Sequence, residues 1–145
     1  MHVSSDRVFR FGVPPDELWS AMARTDGYQE WWPWLHRFAA EGLVTGDVWR
    51  CTVRPPVPYA LRFTVTIDAA EPPRLVRATV DGDIRGTASL DVSARGEGSE
   101  ARLVSVLSPS GIVLRAVSVA ARPVVRHGHD WVLDTGLRQF SARAL

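Results

Sequence analysis

The chain contains no lysine, since all 17 of its basic residues are arginine. This absence excludes chemistry through a lysine Schiff base or a lysine nucleophile. Against 16 acidic residues the formal net charge is only +1, so no overall positive field favours nucleic acid or an anionic membrane. We therefore expect no nucleic-acid partner.

Cysteine and long apolar runs are also scarce. The single cysteine, Cys51, has no partner for an internal disulfide. No stretch is long and apolar enough to span a bilayer, and the first residues, MHVSSDRVFRF, lack the basic and apolar regions of a signal peptide. These observations predict a cytoplasmic protein without stable membrane insertion.

Several catalytic and cofactor-binding motifs are missing. Only His127 and His129 approach zinc-ligand spacing, and residues two apart on a helix point in different directions. GEGSE indicates a turn instead of a phosphate-binding loop, and no GxSxG nucleophile elbow is present. We expect neither a metal nor a cofactor.

What remains is typical of a folded protein. The 145 residues are 46% hydrophobic and 23% charged, values that suit one domain, 1–145, with a substantial core. Alternating segments bounded by turn residues predict seven strands, beginning with RVFRFGV (7–13) and LHRFAAEGL (35–43). Short turns such as VTGD and DGD join most of them, so we expect an antiparallel sheet.

Helices are predicted in two places. After the first strand, Pro15 opens a short helix and YQEWW (28–32) forms a second, which Pro33 terminates. From about Ser110 to Leu145 the pattern predicts a long helix, interrupted at Pro123, with one apolar side. A single antiparallel sheet has one apolar face to cover, and this helix is the expected cover. The fold class is therefore α+β.

The order of these elements and several short motifs carry a resemblance to a known family. The motifs are VPPDELW (13–19), WWPWL (31–35), VPYAL (57–61), EPPRL (71–75), GDIRGTASL (82–90), ARPVVRHGHD (121–130) and the terminal GLRQFSARAL. The chain resembles the START-like, or Bet v 1-like (SRPBCC), superfamily, of the bacterial polyketide cyclase/dehydrase type. The resemblance implies a helix-grip fold, in which the sheet curls around the final helix and encloses an apolar cavity. The Trp/Ser/His/Arg pattern of the dedicated aromatic polyketide aromatase/cyclases is absent from the middle strands.

Candidate ligand-binding residues follow from the apolar faces of the central strands and of the final helix. In ALRFTVTIDAA, Leu61, Phe63 and Val65 share one face, while Arg62 lies on the opposite face, which favours solvent. The residues expected to line the cavity are Trp32, Trp34, Trp49, Leu61, Phe63, Val65, Val132, Leu133 and Gly136. At Gly136 two interpretations stay open: the missing side chain leaves room for a ligand, or it permits close helix packing.

His129 is the candidate catalytic residue, since it lies on the apolar stripe one turn before Leu133. Facing a cavity, its imidazole would serve as a general acid or base near neutral pH. The alternative is a buried histidine bonded to the protein itself. On the polar side of the same helix, Asp130 and Asp134 are spaced to pair with Arg126 and Arg138.

Three tryptophans, Trp31, Trp32 and Trp34, surround Pro33. Adjacent residues of a helix point about 100° apart, so Trp31 and Trp32 cannot face the same pocket. We expect Trp32 or Trp34 to pack into the core, and at most one of the three to form the mouth of the cavity. Trp131 is expected to pack under the small helices or to form a dimer contact.

Three functional hypotheses follow. The first is binding of a small hydrophobic molecule, such as a lipid, a polyketide or an aromatic compound, by a monomer or homodimer. The second is an enzyme of cyclase/dehydrase type with His129 as acid or base. The third is a protein-interaction module that uses the tryptophans as an adhesive surface.

Overall fold

The computed structural model describes residues 3–54, 60–110 and 122–145. Its helices are α1 (Pro15–Met22), α2 (Tyr28–Trp31) and α3 (Arg122–Ala144), with a 3-10 turn at Thr25–Gly27. The strands, in chain order, are β1 (Val3–Phe11), β2 (Leu35–Ala39), β3 (Val48–Val53), β4 (Leu61–Glu71), β5 (Leu75–Gly82), β6 (Ile84–Arg95) and β7 (Gly98–Pro109).

The strands form one antiparallel sheet in the order β1-β7-β6-β5-β4-β3-β2. Strands β2 to β7 pair in chain order because short turns join most of them, and β1 adds to the sheet beside β7. The predicted α+β class, the seven-stranded antiparallel sheet and the two small helices after the first strand are confirmed.

Two predicted strands have different boundaries in the structure. Strand β1 begins earlier, at Val3, and β2 ends earlier, at Ala39. The residues after β2 leave the sheet because the Asp47 carboxylate accepts the backbone N–H groups of Glu41 and Gly42, both at 2.9 Å. The expected helix over 111–121 and part of the VPYAL motif lie outside the described residues.

Two bulges and a glycine curl the sheet. The register shifts between Leu35 and Arg37 in β2 and between Ile67 and Ala69 in β4. Gly86 in β6 has φ 155°, and a Cβ there would lie 1.8 Å from the Val106 carbonyl oxygen, so only glycine fits this close crossing. Bulges bend a strand and increase its twist, which gives the sheet a concave inner face toward α3.

Helix α3 is tied to the sheet and to the small helices at both ends of its described length. Arg7 of β1 contacts the carboxylates of Asp130, at 3.1 Å, and of Asp134. Near the C-terminus, Arg143 donates to the Trp31 carbonyl at 2.9 Å. These contacts hold the helix across the concave face.

The structure does not show the ion pair predicted between Asp134 and Arg138 of α3. Asp134 contacts Arg7, whereas Arg138 donates to the Thr135 hydroxyl at 3.3 Å, so the expected Asp134–Arg138 pair is wrong. The reason is tertiary, because the edge strand brings a guanidinium closer to the carboxylate than its own helix does. The Arg126 side chain lies outside the described residues.

Of the helices in the described ranges, none combines the length and the hydropathy needed to span a lipid bilayer.

Candidate ligand cavity

A cavity of about 470 Å³ lies between the concave face of the sheet and α3. This volume falls in the range of small-molecule sites. Its described lining comprises Phe9, Phe11, Met22, Tyr28, Trp32, Trp34, Leu35, Phe38, Leu43, Trp49, Cys51, Val53, Phe63, Val65, Ile67, Val76, Ala78, Ala88, Ser89, Leu90, Ala101, Leu103, Val132, Leu133, Gly136, Leu137 and Phe140.

Most of the predicted ligand-binding residues lie together around this cavity. They are Trp32, Trp34, Trp49, Phe63, Val65, Val132, Leu133 and Gly136. Leu61 does not line it, although it faces the same side of β4 as Phe63. Two residues along a strand span about 7 Å, so Leu61, the first residue of β4, lies beyond the end of the cavity.

His129 is not among the described residues that line the cavity. Its side chain is 15% exposed, and Nδ1 lies 3.5 Å from the Asp130 carboxylate. Of the described part of the 23-residue helix, the lining residues fall between Val132 and Phe140, so a catalytic role for His129 stays a prediction. One turn earlier, α3 lies beside Arg7.

The tryptophan turn, residues 31–34, differs from its predicted arrangement. Trp31 is the buried core residue, at 5% exposure, and packs edge-to-face on Phe140 with ring centroids 5.4 Å apart. Gly27 permits this position, since a Cβ there would lie 2.9 Å from the Trp31 ring. Trp32 and Trp34 are both half-buried and both line the cavity. The turn at Pro33 rotates Trp34 back toward the side that Trp32 faces.

Hydrogen bonds from the two cavity-facing indoles of this turn fix them against α3. Trp32 Nε1 donates to the Gly136 carbonyl at 2.9 Å, and Trp34 Nε1 donates to Gln139 Oε1 at 2.8 Å. A Cβ on Gly136 would lie 3.3 Å from the Trp34 ring. Gly136 therefore permits close packing against the turn, and it also lines the cavity, so both interpretations of this glycine hold.

Trp49 is fixed from the opposite side by the loop between β2 and β3. Its indole N–H is shared between the Gly42 carbonyl, at 2.9 Å, and Asp47 Oδ2, at 3.1 Å. Asp47 in turn accepts from the backbone N–H groups of Gly42, Glu41 and Val48. These bonds, that from Gly42 foremost, hold the pKa of the Asp47 carboxyl below its usual value. The ionised carboxylate thereby orders a cavity wall.

Only two of the described lining residues titrate, Tyr28 and Cys51. Burial raises the pKa of the Cys51 thiol to about 12, and burial also raises the pKa of the Tyr28 phenol above its usual value. The Tyr28 hydroxyl donates to the Met22 carbonyl. At neutral pH both side chains are uncharged. Within the described ranges, no three His, Cys, Asp or Glu side chains are grouped to hold a metal ion.

Sequence reasoning missed part of the aromatic lining. Strict alternation from Leu35 puts Phe38 on the solvent side, but the bulge between Leu35 and Arg37 turns Phe38 inward. Nothing in the local sequence marks that bulge. Phe9 and Phe11 follow the alternation of β1 and line the cavity beside Phe140 of α3.

Trp131 packs against the tryptophan turn. Its ring lies edge-on to Trp34 at a centroid distance of 6.1 Å, next to the turn that follows α2. Of the two predicted arrangements, this is nearer to packing under the small helices.

Comparison with known proteins gives a family and a fold. Residues 2–144 match the family model described as polyketide cyclase/dehydrase and lipid transport. No curated protein matches the chain.

Three solved structures illustrate the shared fold. TTHA0849 from Thermus thermophilus has 14% identity and a TM-score of 0.75, over 99% of this chain and 97% of that chain. The Zhui aromatase/cyclase from Streptomyces sp. R1128 has 14% identity and a TM-score of 0.72, over 100% and 97%. Norcoclaurine synthase from Thalictrum flavum, in complex with dopamine and hydroxybenzaldehyde, has 11% identity and a TM-score of 0.65, over 98% and 86%.

At these identities the likeness shows the fold alone. The family match, by contrast, extends over nearly the whole chain. The chain therefore belongs to the polyketide cyclase/dehydrase and lipid transport family.

Proposed function

We propose that the protein binds one neutral, apolar molecule that contains an aromatic ring, in the cavity between the sheet and α3, and releases it unchanged. The observation that carries this proposal is that the hydrogen-bond donors of the aromatic side chains in the described lining are already bonded within the protein. The N–H groups of Trp32, Trp34 and Trp49 and the hydroxyl of Tyr28 all donate to protein oxygens. What the aromatic lining offers a ligand is therefore almost entirely carbon surface.

The ligand is expected to be uncharged. Transferring an ion from water into apolar surroundings costs several kcal/mol unless a partner compensates it. Among the described lining residues, Tyr28 and Cys51 are the titratable ones, and both remain protonated near neutral pH. The described lining thus has no ion to pair with a carboxylate or an amine.

An aromatic ring in the ligand is favoured by the shape of the walls. The rings of Trp32 and Trp34 stack at 5.6 Å with an interplanar angle of 27°, and Tyr28 stacks on Phe38 at 5.2 Å. Aromatic pairs gain about 0.5–1.5 kcal/mol beyond the area that they bury. A flat ligand ring that packs against these walls gains contacts of the same kind.

Enzymes occur among proteins of similar fold, including an aromatase/cyclase and a norcoclaurine synthase. A cyclase or dehydrase reaction needs an acid or base within reach of the substrate. His129 lies outside the described lining, and the Tyr28 and Cys51 side chains hold their protons too tightly to act as bases. Binding without turnover is therefore the better supported function, and His129 catalysis stays a hypothesis that His129→Ala tests against a genuine substrate.

An interaction module built on exposed tryptophans has less support. Trp31 is buried, while Trp32, Trp34 and Trp49 are half-buried and line the cavity. These rings leave little continuous surface for a protein partner. Whether the protein is a monomer or a homodimer stays a prediction.

The proposal is tested with a matched pair of fluorescent probes. Phenylnaphthylamine is neutral, and anilinonaphthalene sulfonate carries the same rings with one added negative charge. We expect saturable one-to-one binding of the neutral probe, with energy transfer from tryptophan, and at least tenfold weaker cavity binding of the sulfonate.

Two variants locate the probe. Leu133→Phe adds bulk inside the cavity, whereas Val106→Phe adds similar bulk to the outer face, where Val106 is 43% exposed. Leu133→Phe should weaken binding of the neutral probe at least tenfold and Val106→Phe should leave it unchanged. Equal affinity for both probes, with the same loss on Leu133→Phe, would contradict a neutral-ligand cavity.

A further inference from the structure

A second groove, of about 520 Å³, lies on the outer face of the sheet, on the side away from the cavity. It crosses β2, β3 and β4 and ends at β5. Strands are spaced about 4.8 Å apart, so the groove is roughly 14 Å long. Nothing in the proposed cavity function uses it.

The strand register explains the shape of this groove. Its floor is a row of residues that pair directly across the sheet: Phe38, Cys51, Phe63 and Gly82. The side chains of this row point toward the concave face, so the floor is backbone. The neighbouring rows point outward and form two walls about 7 Å apart, one made by Arg37, Thr52 and Arg62 and the other by Ala39, Arg50, Thr64 and Asp81.

Three arginines therefore face one narrow groove, Arg37 and Arg62 from one wall and Arg50 from the other. All three are exposed, and in the described part of the chain none forms an ion pair. Elsewhere on this face Arg77 pairs with Asp91 and Arg102 pairs with Asp6, while Arg10 of β1 is a single exposed arginine. Among the described residues, three arginines without an ion pair lie together only at this groove.

The two carboxylates closest to the groove are already occupied. Asp81 accepts an ion pair from Arg85 at 2.8 Å. Asp83 Oδ2 accepts the backbone N–H of Arg62 at 2.9 Å. Neither is among the described ion-pair partners of the groove arginines, so their guanidinium groups are available to an external anion.

Protection of a sheet edge does not account for the cluster. Charged residues on an edge strand discourage pairing with other chains, and that reason applies to Arg37 on β2. Arg50 and Arg62 lie on the interior strands β3 and β4, whose backbones are paired on both sides. Edge protection therefore leaves two of the three arginines unexplained.

We infer that the groove is a binding site for a phosphate monoester of a soluble molecule. A guanidinium presents a planar fork of donors that matches phosphate oxygens. Three guanidinium groups from two opposite walls can donate hydrogen bonds to the three terminal oxygens of a tetrahedral dianion. The hydroxyl of Thr52, which lies between Arg37 and Arg62 across the strands, is a further donor. A planar carboxylate would leave at least one of the three arginines unused.

Titration of the isotope-labelled protein with inorganic phosphate and with phenyl phosphate, at constant ionic strength, tests this site. We expect saturable amide shifts in 37–39, 50–52 and 62–64. For phenyl phosphate the pH dependence should follow the second ionisation of a phosphate monoester, near pH 6. Arg50→Gln and Arg62→Gln should each weaken binding at least fivefold. Arg102→Gln, which removes an exposed but paired arginine of the same face, is the matched control.

Two outcomes would overturn the inference. One is a set of shifts that does not saturate or that sodium chloride reproduces. The other is an equal loss of affinity in Arg102→Gln and in Arg50→Gln. Flotation with vesicles that contain phosphatidic acid separates the possible sources of the phosphate, since binding to vesicles that inorganic phosphate competes away would assign the site to a lipid headgroup and contradict the soluble-ester assignment.

Discussion

The indole N–H of Trp32 donates to the main-chain carbonyl of Gly136 at a distance of 2.9 Å. This bond joins the turn after α2 to the middle of α3, and the Trp34–Gln139 bond at 2.8 Å lies one turn further along the helix. The tryptophan turn and α3 thus form one wall of the cavity. A ligand that fills the cavity contacts both.

Gly136→Leu should close the cavity from this wall. A Cβ at 136 already lies 3.3 Å from the Trp34 ring and 3.7 Å from Trp32 Nε1, so a larger side chain must displace the ring or enter the cavity. We expect affinity for phenylnaphthylamine to fall at least tenfold, measured by fluorescence titration. Glycine-to-leucine replacement favours the helix by up to about 1 kcal/mol, while crowding of the Trp34 ring costs stability, so the melting temperature is measured beside the affinity to show that the variant is folded.

The matched control is Gly12→Leu, because no heavy atom lies within 4 Å of a Cβ placed at Gly12. Its probe affinity should equal that of the unmodified protein. If Gly136→Leu retained full affinity, the assignment of this wall to the ligand site would be wrong.

The contact of Arg7 with Asp130 and Asp134 predicts a local effect on α3. Arg7→Gln should lower the free energy of unfolding by only about 0.5–1 kcal/mol, since the three side chains are partly exposed. Hydrogen exchange of amides 130–137 should accelerate much more than exchange in β6. Arg102→Gln breaks an ion pair that does not involve α3, and equal acceleration in that control would contradict the effect.

The Asp47 carboxyl predicts acid sensitivity. Because hydrogen bonds from Gly42, Glu41 and Val48 hold its pKa below the ordinary 3.8, it stabilises the fold above that pH, and the stabilisation is lost as pH falls through the lower folded pKa. Asp47→Asn should lower the melting temperature at pH 6, with the difference from the unmodified protein shrinking toward pH 2. Asp68→Asn, which removes an exposed carboxylate that bonds Thr79, is the control. A difference that stays constant with pH would contradict this role.

The Cys51 thiol should react very slowly in the folded protein. With a pKa of about 12, the thiolate fraction at pH 8 is on the order of one in ten thousand. Alkylation by iodoacetamide at pH 8 should therefore be at least a hundredfold slower than in the urea-unfolded chain, and slower still with a bound probe. A native rate within tenfold of the unfolded rate would show that the cavity wall at Cys51 is open to water.

Periodicity predicted the architecture well because the sheet and α3 each bury one face. The inward positions Phe63 and Val65 of β4, and Val132, Leu133 and Gly136 of α3, follow from spacings of two and of three to four residues. The pairing of consecutive strands is also predictable from the sequence, because short turns join most of them.

The remaining features depend on tertiary geometry that spacing does not encode. His129 has the apolar phase of α3, and Leu61 has the apolar phase of β4, but neither is among the described residues that line the cavity. Trp31, and not Trp32 or Trp34, lies in the core because Gly27 leaves space for its ring. The outer arginine groove depends on register between strands, which a single sequence does not specify.

The most direct test of the account is the position of a bound neutral aromatic ligand. Intermolecular nuclear Overhauser effects should be measured between phenylnaphthylamine and methyl groups of the labelled protein. The account predicts contacts to Val65, Ile67, Leu133 and Leu137, which line the cavity, and none to Val8 or Val106 on the outer face. Contacts to the outer valines, or a failure of the probe to bind saturably, would contradict it.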